Sequence, residues 1–123
     1  MPPALESRDV RISVPARADY LVLARLALSA LCRLTPLGHG DVADLKLAIT
    51  EAAAGMLPAD AGPADAIEFR FRLRDGGLEL DVDGPAADVP DSERELSAAI
   101  VDATVDEHAL DPGRARLVKR FPG

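Results

Sequence analysis

The chain has 123 residues, of which 48% are hydrophobic and 28% charged, and this composition predicts one globular domain around a single core. The formal net charge of −7 argues against a nucleic-acid-binding protein, because phosphate neutralisation requires clustered Lys and Arg. A single cysteine excludes an internal disulfide. Together with the lack of a membrane-length apolar run or a signal-peptide pattern, it predicts a cytoplasmic protein with no membrane partner.

The first part of the chain is predicted to hold one strand and one helix. We expect residues 1–8 to form a loose N-terminal arm and residues 9–123 to form the single domain. Apolar residues at alternate positions from Val10 to Val14 predict a half-buried strand. The Leu- and Ala-rich stretch from Asp19 to about Leu34 predicts a mostly buried helix, in which Cys32 is a small apolar side chain.

A second helix is predicted after a short Pro- and Gly-containing loop. Asp41 is a suitable N-cap for this helix, and Pro58 ends it. Its apolar residues recur at helical spacing between these two positions. Glu51 and Gly55 therefore lie on one face of the helix, because residues four apart are neighbours on its surface.

A β-hairpin is the clearest structural signal. Apolar and charged residues alternate on both sides of a preferred Asp-Gly turn at positions 75–76. Closing the hairpin at this turn places Arg72 opposite Glu79 and Arg70 opposite Asp81. One face of the hairpin is then charged and the other apolar, so helices are expected to cover only the apolar face.

The last part of the chain is predicted to hold one more helix and two short strands. Ser92 and Glu95 have the spacing of a capping box, which predicts the start of a helix with Leu96 and Ile100 facing inward. The two strands flank a turn at residues 111–113. This order of elements predicts an α+β fold, a two-layer sandwich with a mostly antiparallel sheet and helices on one face.

Two segments carry a family resemblance. Residues 44–55, DLKLAITEAAAG, and residues 78–85, LELDVDGP, resemble the ATP-binding domain of bacterial anti-sigma-factor serine kinases. These kinases are a branch of the histidine kinase-like ATPase superfamily, and the resemblance extends from Ile12 to Arg120. It implies a Bergerat-type fold. It also implies a domain that dimerises, binds a sigma factor and is captured by an antagonist protein whose Ser it phosphorylates.

The first nucleotide motif of the family is incomplete in this chain. In active relatives a Glu at the position of Glu51 helps to activate the attacking group, which is a general-base role, and an Asn four residues later holds Mg²⁺. Gly55 stands at that second position, and the sequence contains no Asn at all. Gly55 offers no side-chain oxygen, whereas Mg²⁺ requires oxygen ligands. The alternative role for Glu51 is a solvated carboxylate on a helix face.

The other two motifs also depart from the family pattern. The Asp of an Asp-x-Gly motif accepts a hydrogen bond from adenine, but Asp83 directly precedes Gly84. Asp83 and Gly84 are thus the nucleotide-binding candidates if ATP binds, and Asp83 is otherwise a charge at the hairpin end. Alignment with the family places Glu95 and Ser97 where two glycines of a phosphate-binding lid would be. The anionic Glu95 would repel a triphosphate.

These observations support three functional hypotheses. The first is a regulatory anti-sigma-factor-like protein that binds a sigma factor or an antagonist of the anti-sigma factor. In this hypothesis ATP binding is lost, and the protein can form a homodimer. The second is an active serine/threonine kinase that uses ATP and Mg²⁺, with Glu51 as its catalytic residue. The third is an unrelated two-layer domain with a metabolic ligand. No metal site is expected, because His39 and His108 are far apart and have no acidic or Cys cluster at metal spacing.

Overall fold

A computed structural model describes residues 8–122, which form three α-helices and five strands. In chain order these are β1 (Arg8–Pro15), α1 (Leu21–Cys32), α2 (His39–Ala54), β2 (Ala66–Leu73), β3 (Gly77–Asp83), α3 (Asp91–Thr104), β4 (Glu107–Asp111) and β5 (Arg114–Arg120). A single 3₁₀ turn, Ala18–Tyr20, precedes α1. No helix between residues 8 and 122 is long and apolar enough to cross a membrane.

The strands form one five-stranded sheet in the order β1-β2-β3-β5-β4, and every neighbouring pair is antiparallel. The β2–β3 register pairs Arg72 with Glu79 and Arg70 with Asp81, which confirms the hairpin prediction. The apolar face of the central strands is buried under the helices, and its largest side chains are Ile67, Phe69, Phe71, Leu78, Leu80, Val82 and Leu117. The α+β two-layer architecture with helices on one face is therefore confirmed.

The other face of the sheet carries charge pairs that face solvent. Arg70 lies 2.6 Å from Asp9, and Arg72 lies 3.0 Å from Asp81. The Arg70 guanidinium donates a hydrogen bond to Asp9 and lowers the pKa of that carboxyl. Because opposite charges alternate across neighbouring strands, this face is neutralised locally and needs no helical layer.

Two predicted helix starts are wrong. Helix α2 begins at His39 with Gly38 as its N-cap, and Asp41 is the third helical residue, whose carboxylate accepts a hydrogen bond from the Gly38 N–H at 3.3 Å. Helix α3 begins at Asp91 after Pro90, and no side-chain cap bond is made there. Ser92 already lies inside this helix, so it does not form the predicted capping box with Glu95.

The buried face of α3 also differs from the predicted one. Val101 and Thr104 are buried, whereas Leu96 is 62% exposed, so the expected inward orientation of Leu96 is wrong. At the N-terminus, residues 1–7 of the predicted arm lie outside the described residues. Arg8, the last residue assigned to that arm, pairs with Leu73 in the sheet.

Candidate functional site

A cleft of about 170 Å³ opens between the end of α2, the start of α3 and the β4–β5 turn. The loop from residue 84 to residue 90, which joins β3 to α3, forms its remaining wall. The apolar lining includes Met56 and Leu110, and the charged lining includes Glu51, Glu93 and Asp111. This cleft is the candidate functional site, because it contains the family's candidate catalytic position.

Backbone hydrogen bonds hold the walls of the cleft together. The Ala87 N–H donates to the Gly55 carbonyl at 3.1 Å, and the Gly84 N–H donates to the Gly113 carbonyl at 3.0 Å. A Cβ on Gly84 would lie 3.1 Å from the Met56 sulfur, so a larger residue would require the Met56 side chain to shift. Gly113 has φ +75°, the left-handed value that the turn after Pro112 requires. The cleft is therefore built into the fold.

Glu51 lies in the cleft and is held by one neighbour. The Ser97 hydroxyl donates a hydrogen bond to Glu51 Oε1 at 2.8 Å, and both residues are half-buried. This contact joins α2 to α3. Sequence reasoning missed this contact, because the two residues are 46 positions apart and neither belongs to a local motif that would pair them. Alignment had placed Ser97 at a lid position, whereas the structure places it inside α3.

Gly55 also lines the cleft, next to Glu51 on the same helix end. A Cβ built there meets no atom within 4 Å, so the position has room for a larger side chain. Gly55 nonetheless offers no side-chain oxygen to a metal. No group of three or more His, Cys, Asp or Glu that could hold a metal ion was found among residues 8–122.

Asp83 lies on the opposite face of the sheet from Glu51. Strand alternation points Val82 toward the helices and Asp83 toward solvent. There Asp83 Oδ1 accepts a hydrogen bond from Arg114 Nε at 2.9 Å. Gly84 lies behind the cleft against Met56, but it has no side chain to bind a base. The structure thus brings Glu51, Gly55 and Ser97 together and leaves Asp83 outside.

Comparisons with known proteins identify the fold. No protein-family model matches the chain. Two relatives from Bacillus licheniformis, each named serine-protein kinase RsbW, are 28% and 26% identical over 104 and 102 residues, which is 80% of this chain. This chain also resembles the solved structure of the RsbU and RsbW domains of Rv1364c from Mycobacterium tuberculosis, with a TM-score of 0.73 and 20% sequence identity. The match covers 93% of this chain and 32% of the Rv1364c chain. This chain folds as an RsbW-type domain. It spans 64% of the length of the two Bacillus licheniformis relatives.

Several features of this cleft differ from those of a typical nucleotide site. Its volume of about 170 Å³ is below the roughly 300–1,000 Å³ typical of small-molecule sites. The first turn of α3, where bare N–H groups could hold phosphate, carries Asp91 and Glu93, which repel anions. Glu95 is exposed on the same helix and does not line the cleft. Of the family's ATP-binding features, only the Glu51 carboxylate lies in place.

Proposed function

We propose that this domain is a regulatory anti-sigma-factor-type module that acts by binding proteins and has lost ATP binding. Its likeness to two serine-protein kinases RsbW supports the anti-sigma-factor class. The proposed partners are a sigma factor, an antagonist of the anti-sigma factor, and a second copy of this chain. In this proposal the protein acts in the cytoplasm, in the control of transcription or of a stress response.

The proposed loss of nucleotide binding rests on the residues that line the cleft. Glu51 accepts a hydrogen bond from Ser97, and Gly55 supplies no metal ligand. The adenine contact is also missing, since Asp83 bonds to Arg114 on the far side of the sheet. Of the family positions for the attacking group, the metal and the base, the cleft therefore retains only the Glu51 carboxylate.

An exposed apolar face on α1 supports protein binding. Val22, Leu23 and Leu26 lie on one side of this helix at spacings of three and four residues, and Leu26 is 60% exposed. Contiguous exposed apolar side chains of this kind mark protein-interaction sites in soluble proteins. The other side of α1 packs against α2 and β1, so within residues 8–122 a partner can bind the exposed side without unfolding the domain.

Calorimetric titration with Mg·ATP tests the nucleotide part of the proposal. We expect a flat titration for the natural chain. Gly55→Asn is the matched variant, since the site has room for the amide and residue 55 has φ −77°, which any residue adopts. We expect this variant to remain without measurable binding as well, because Asp83 stays on the other face. Micromolar binding by the natural chain would overturn the proposed loss.

Affinity capture tests the protein-binding part. A tagged chain incubated with cytosol of its source is expected to recover a sigma factor, an antagonist protein or a second copy of itself. Leu26→Asp should abolish this capture, and Leu47→Asp, on an exposed position of α2 that is 44% accessible, should leave it unchanged. Recovery of only a metabolic enzyme or nucleic acid would contradict the proposal.

An active serine/threonine kinase is the second candidate, and one observation favours it. Glu51 lies in the cleft on the same helix end as the open position Gly55. In this alternative Glu51 activates the Ser hydroxyl of an antagonist protein, with ATP and Mg²⁺ as cosubstrates. Phosphate transfer to such a protein that is lost in Glu51→Gln would establish the kinase.

A further inference from the structure

The sheet has an open edge at β1. Among residues 8–122, β1 pairs with β2 alone, so the backbone groups on its outer side have no strand partner. β1 is eight residues long, and its register with β2 runs without a bulge from Arg8 to Pro15. The strand at the opposite edge, β4, has only five residues and an acid at each end. A long, regular edge strand is a template for pairing with another strand, whereas short or charged edges resist it.

Arg11 on this strand is a cation without a partner in its own domain. Its side chain is exposed on the open face of the sheet and forms no hydrogen bond or ion pair within residues 8–122. The residue opposite Arg11 on β2 is Arg70, a like charge whose guanidinium is bonded to Asp9. Glu68, on the diagonal, forms no ion pair with Arg11. Because like charges directly opposite each other destabilise a sheet, a carboxylate from beyond the edge would stabilise this position.

The order of charges along β1 is self-complementary. Asp9 and Arg11 lie on the open face, and Val10 between them faces the helices. Two copies of β1 that pair antiparallel about a two-fold axis at Val10 place Asp9 of each copy opposite Arg11 of the other. An axis at Asp9 or at Arg11 sets like charges opposite each other, and an axis at Ile12 leaves Arg11 opposite the neutral Ser13. Asp9 accepts its hydrogen bond within the domain through Oδ2, so Oδ1 can accept a second one from the other copy.

Helix α1 adds apolar surface above the same edge. It packs against α2 and β1, and its exposed side carries Val22, Leu23 and Leu26. A two-fold axis perpendicular to the sheet keeps the helices of both copies on the same face, so the two α1 helices approach each other beside the joined strands. Their apolar side chains supply burial that exposed ion pairs alone do not provide, since such pairs contribute little affinity.

We propose that two copies of this chain join through β1 in an antiparallel pair centred on Val10, which merges their two five-stranded sheets into one. The inference rests on the proposed function, which includes a second copy among the partners, and it specifies the surface and the register. Two ion pairs between Asp9 of one copy and Arg11 of the other select this register on the open face. The exposed sides of the α1 helices meet on the other face.

Two charge-reversal variants test the register. Asp9→Arg alone sets two cations opposite each other at both pairs, and Arg11→Asp alone sets two anions opposite each other. Each variant should dimerise about tenfold more weakly than the natural chain in sedimentation velocity. An equimolar mixture of the two variants restores both opposite-charge pairs. The mixture should therefore form a heterodimer, identified by its mass in native mass spectrometry, with an affinity within about threefold of that of the natural dimer.

Two further variants serve as controls. Asp88→Arg makes the same charge change at an exposed aspartate of the 84–90 loop, and it should dimerise as the natural chain does. Arg11→Gln removes both ion pairs without a like-charge contact and breaks no contact within the domain. It should weaken the dimer about fivefold even if a charge reversal unfolds the chain, which the thermal midpoint of each variant reveals.

Three results would overturn this dimer. A natural chain that stays monomeric at all concentrations would leave the β1 edge to a strand of another protein. Reversal variants that dimerise as well as the natural chain would place the interface elsewhere. A mixture of folded variants that associates no better than either variant alone would exclude the register. These measurements use only the purified chain, without ATP or other proteins. The Mg·ATP titration and the capture of a sigma factor or an antagonist therefore decide the proposed function separately.

Discussion

Ser97 on α3 donates a 2.8 Å hydrogen bond to Glu51 on α2, and this is the side-chain contact that holds the candidate catalytic carboxylate. A half-buried carboxylate that loses its donor keeps its desolvation cost without the compensating bond. The contact thus has a structural role whether or not any chemistry remains in the cleft. This role predicts a measurable effect on stability.

Ser97→Ala is expected to lower the free energy of unfolding by about 1 kcal/mol in urea denaturation. Ser92→Ala is the matched control, because Ser92 is exposed near the start of the same helix and makes no cap bond. Its effect should stay within about 0.5 kcal/mol. A larger loss at Ser92 than at Ser97 would contradict the structure and favour the capping box.

Gly77→Ala is expected to destabilise the domain by about 1–3 kcal/mol. A Cβ at this position would lie 2.6 Å from the Lys119 carbonyl oxygen and 3.2 Å from the Arg120 Cα, both in the backbone of the paired strand β5. Gly76→Ala, one residue earlier, meets nothing within 4 Å and should change stability by less than about 0.5 kcal/mol. Equal thermal shifts in the two variants would rule out this steric explanation.

Lys119→Met is expected to lower the free energy of unfolding by about 1–3 kcal/mol. The Lys119 ammonium donates to the Thr104 carbonyl at 3.1 Å and lies 3.6 Å from Asp41 and 3.9 Å from Asp44, and its side chain is 12% exposed. The Lys119 ammonium therefore links the end of α3 to the start of α2. Lys46→Met serves as the control, because Lys46, the other lysine of the sequence, forms no such pair within residues 8–122. A loss at Lys46 as large as that at Lys119 would refute this role.

The Cys32 thiol is expected to react slowly with an aromatic disulfide reagent until the domain unfolds. Burial raises the pKa of this thiol, so the folded chain holds its proton at a pH where the unfolded chain has begun to lose it. Below the unfolded pKa of about 8.5 this group adds no pH dependence to stability. Above that value stability should fall as pH rises, because the unfolded state binds fewer protons there. Fast labelling in native buffer, at the rate seen in denaturant, would contradict this burial.

The β2–β3 hairpin could be predicted from the sequence because the residues that determine it are close together in the chain. An Asp-Gly turn and a period-two pattern fix the register by themselves, and the predicted pairing of Arg72 with Glu79 is present. The same alternation also fixes the direction of Asp83. Once Val82 points inward, Asp83 must point to solvent, so its separation from Glu51 could have been predicted from the same pattern.

The Ser97–Glu51 contact could not be predicted in this way. It depends on the rotation of α3 about its axis, and that rotation is set by how the helix packs on the rest of the domain. With Pro90 as its N-cap, α3 starts two residues earlier than a Ser92 cap would start it. Its buried face includes Val101 and excludes Leu96. A capping signal is local and weak, whereas the packing that fixes helix rotation joins residues that are far apart in sequence.

The pairing of β1 with β2 has a consequence for how the chain folds. Arg8 pairs with Leu73 and Pro15 with Ala66, so this pairing closes a loop of 50 residues, 16–65, that contains α1 and α2. By contrast, the β2–β3 and β4–β5 pairs are hairpins that close through short turns. Because long-range pairings must overcome a greater loss of chain entropy, the hairpins should form early and β1 should join the sheet late. The strand that is synthesised first is then the last to join the sheet.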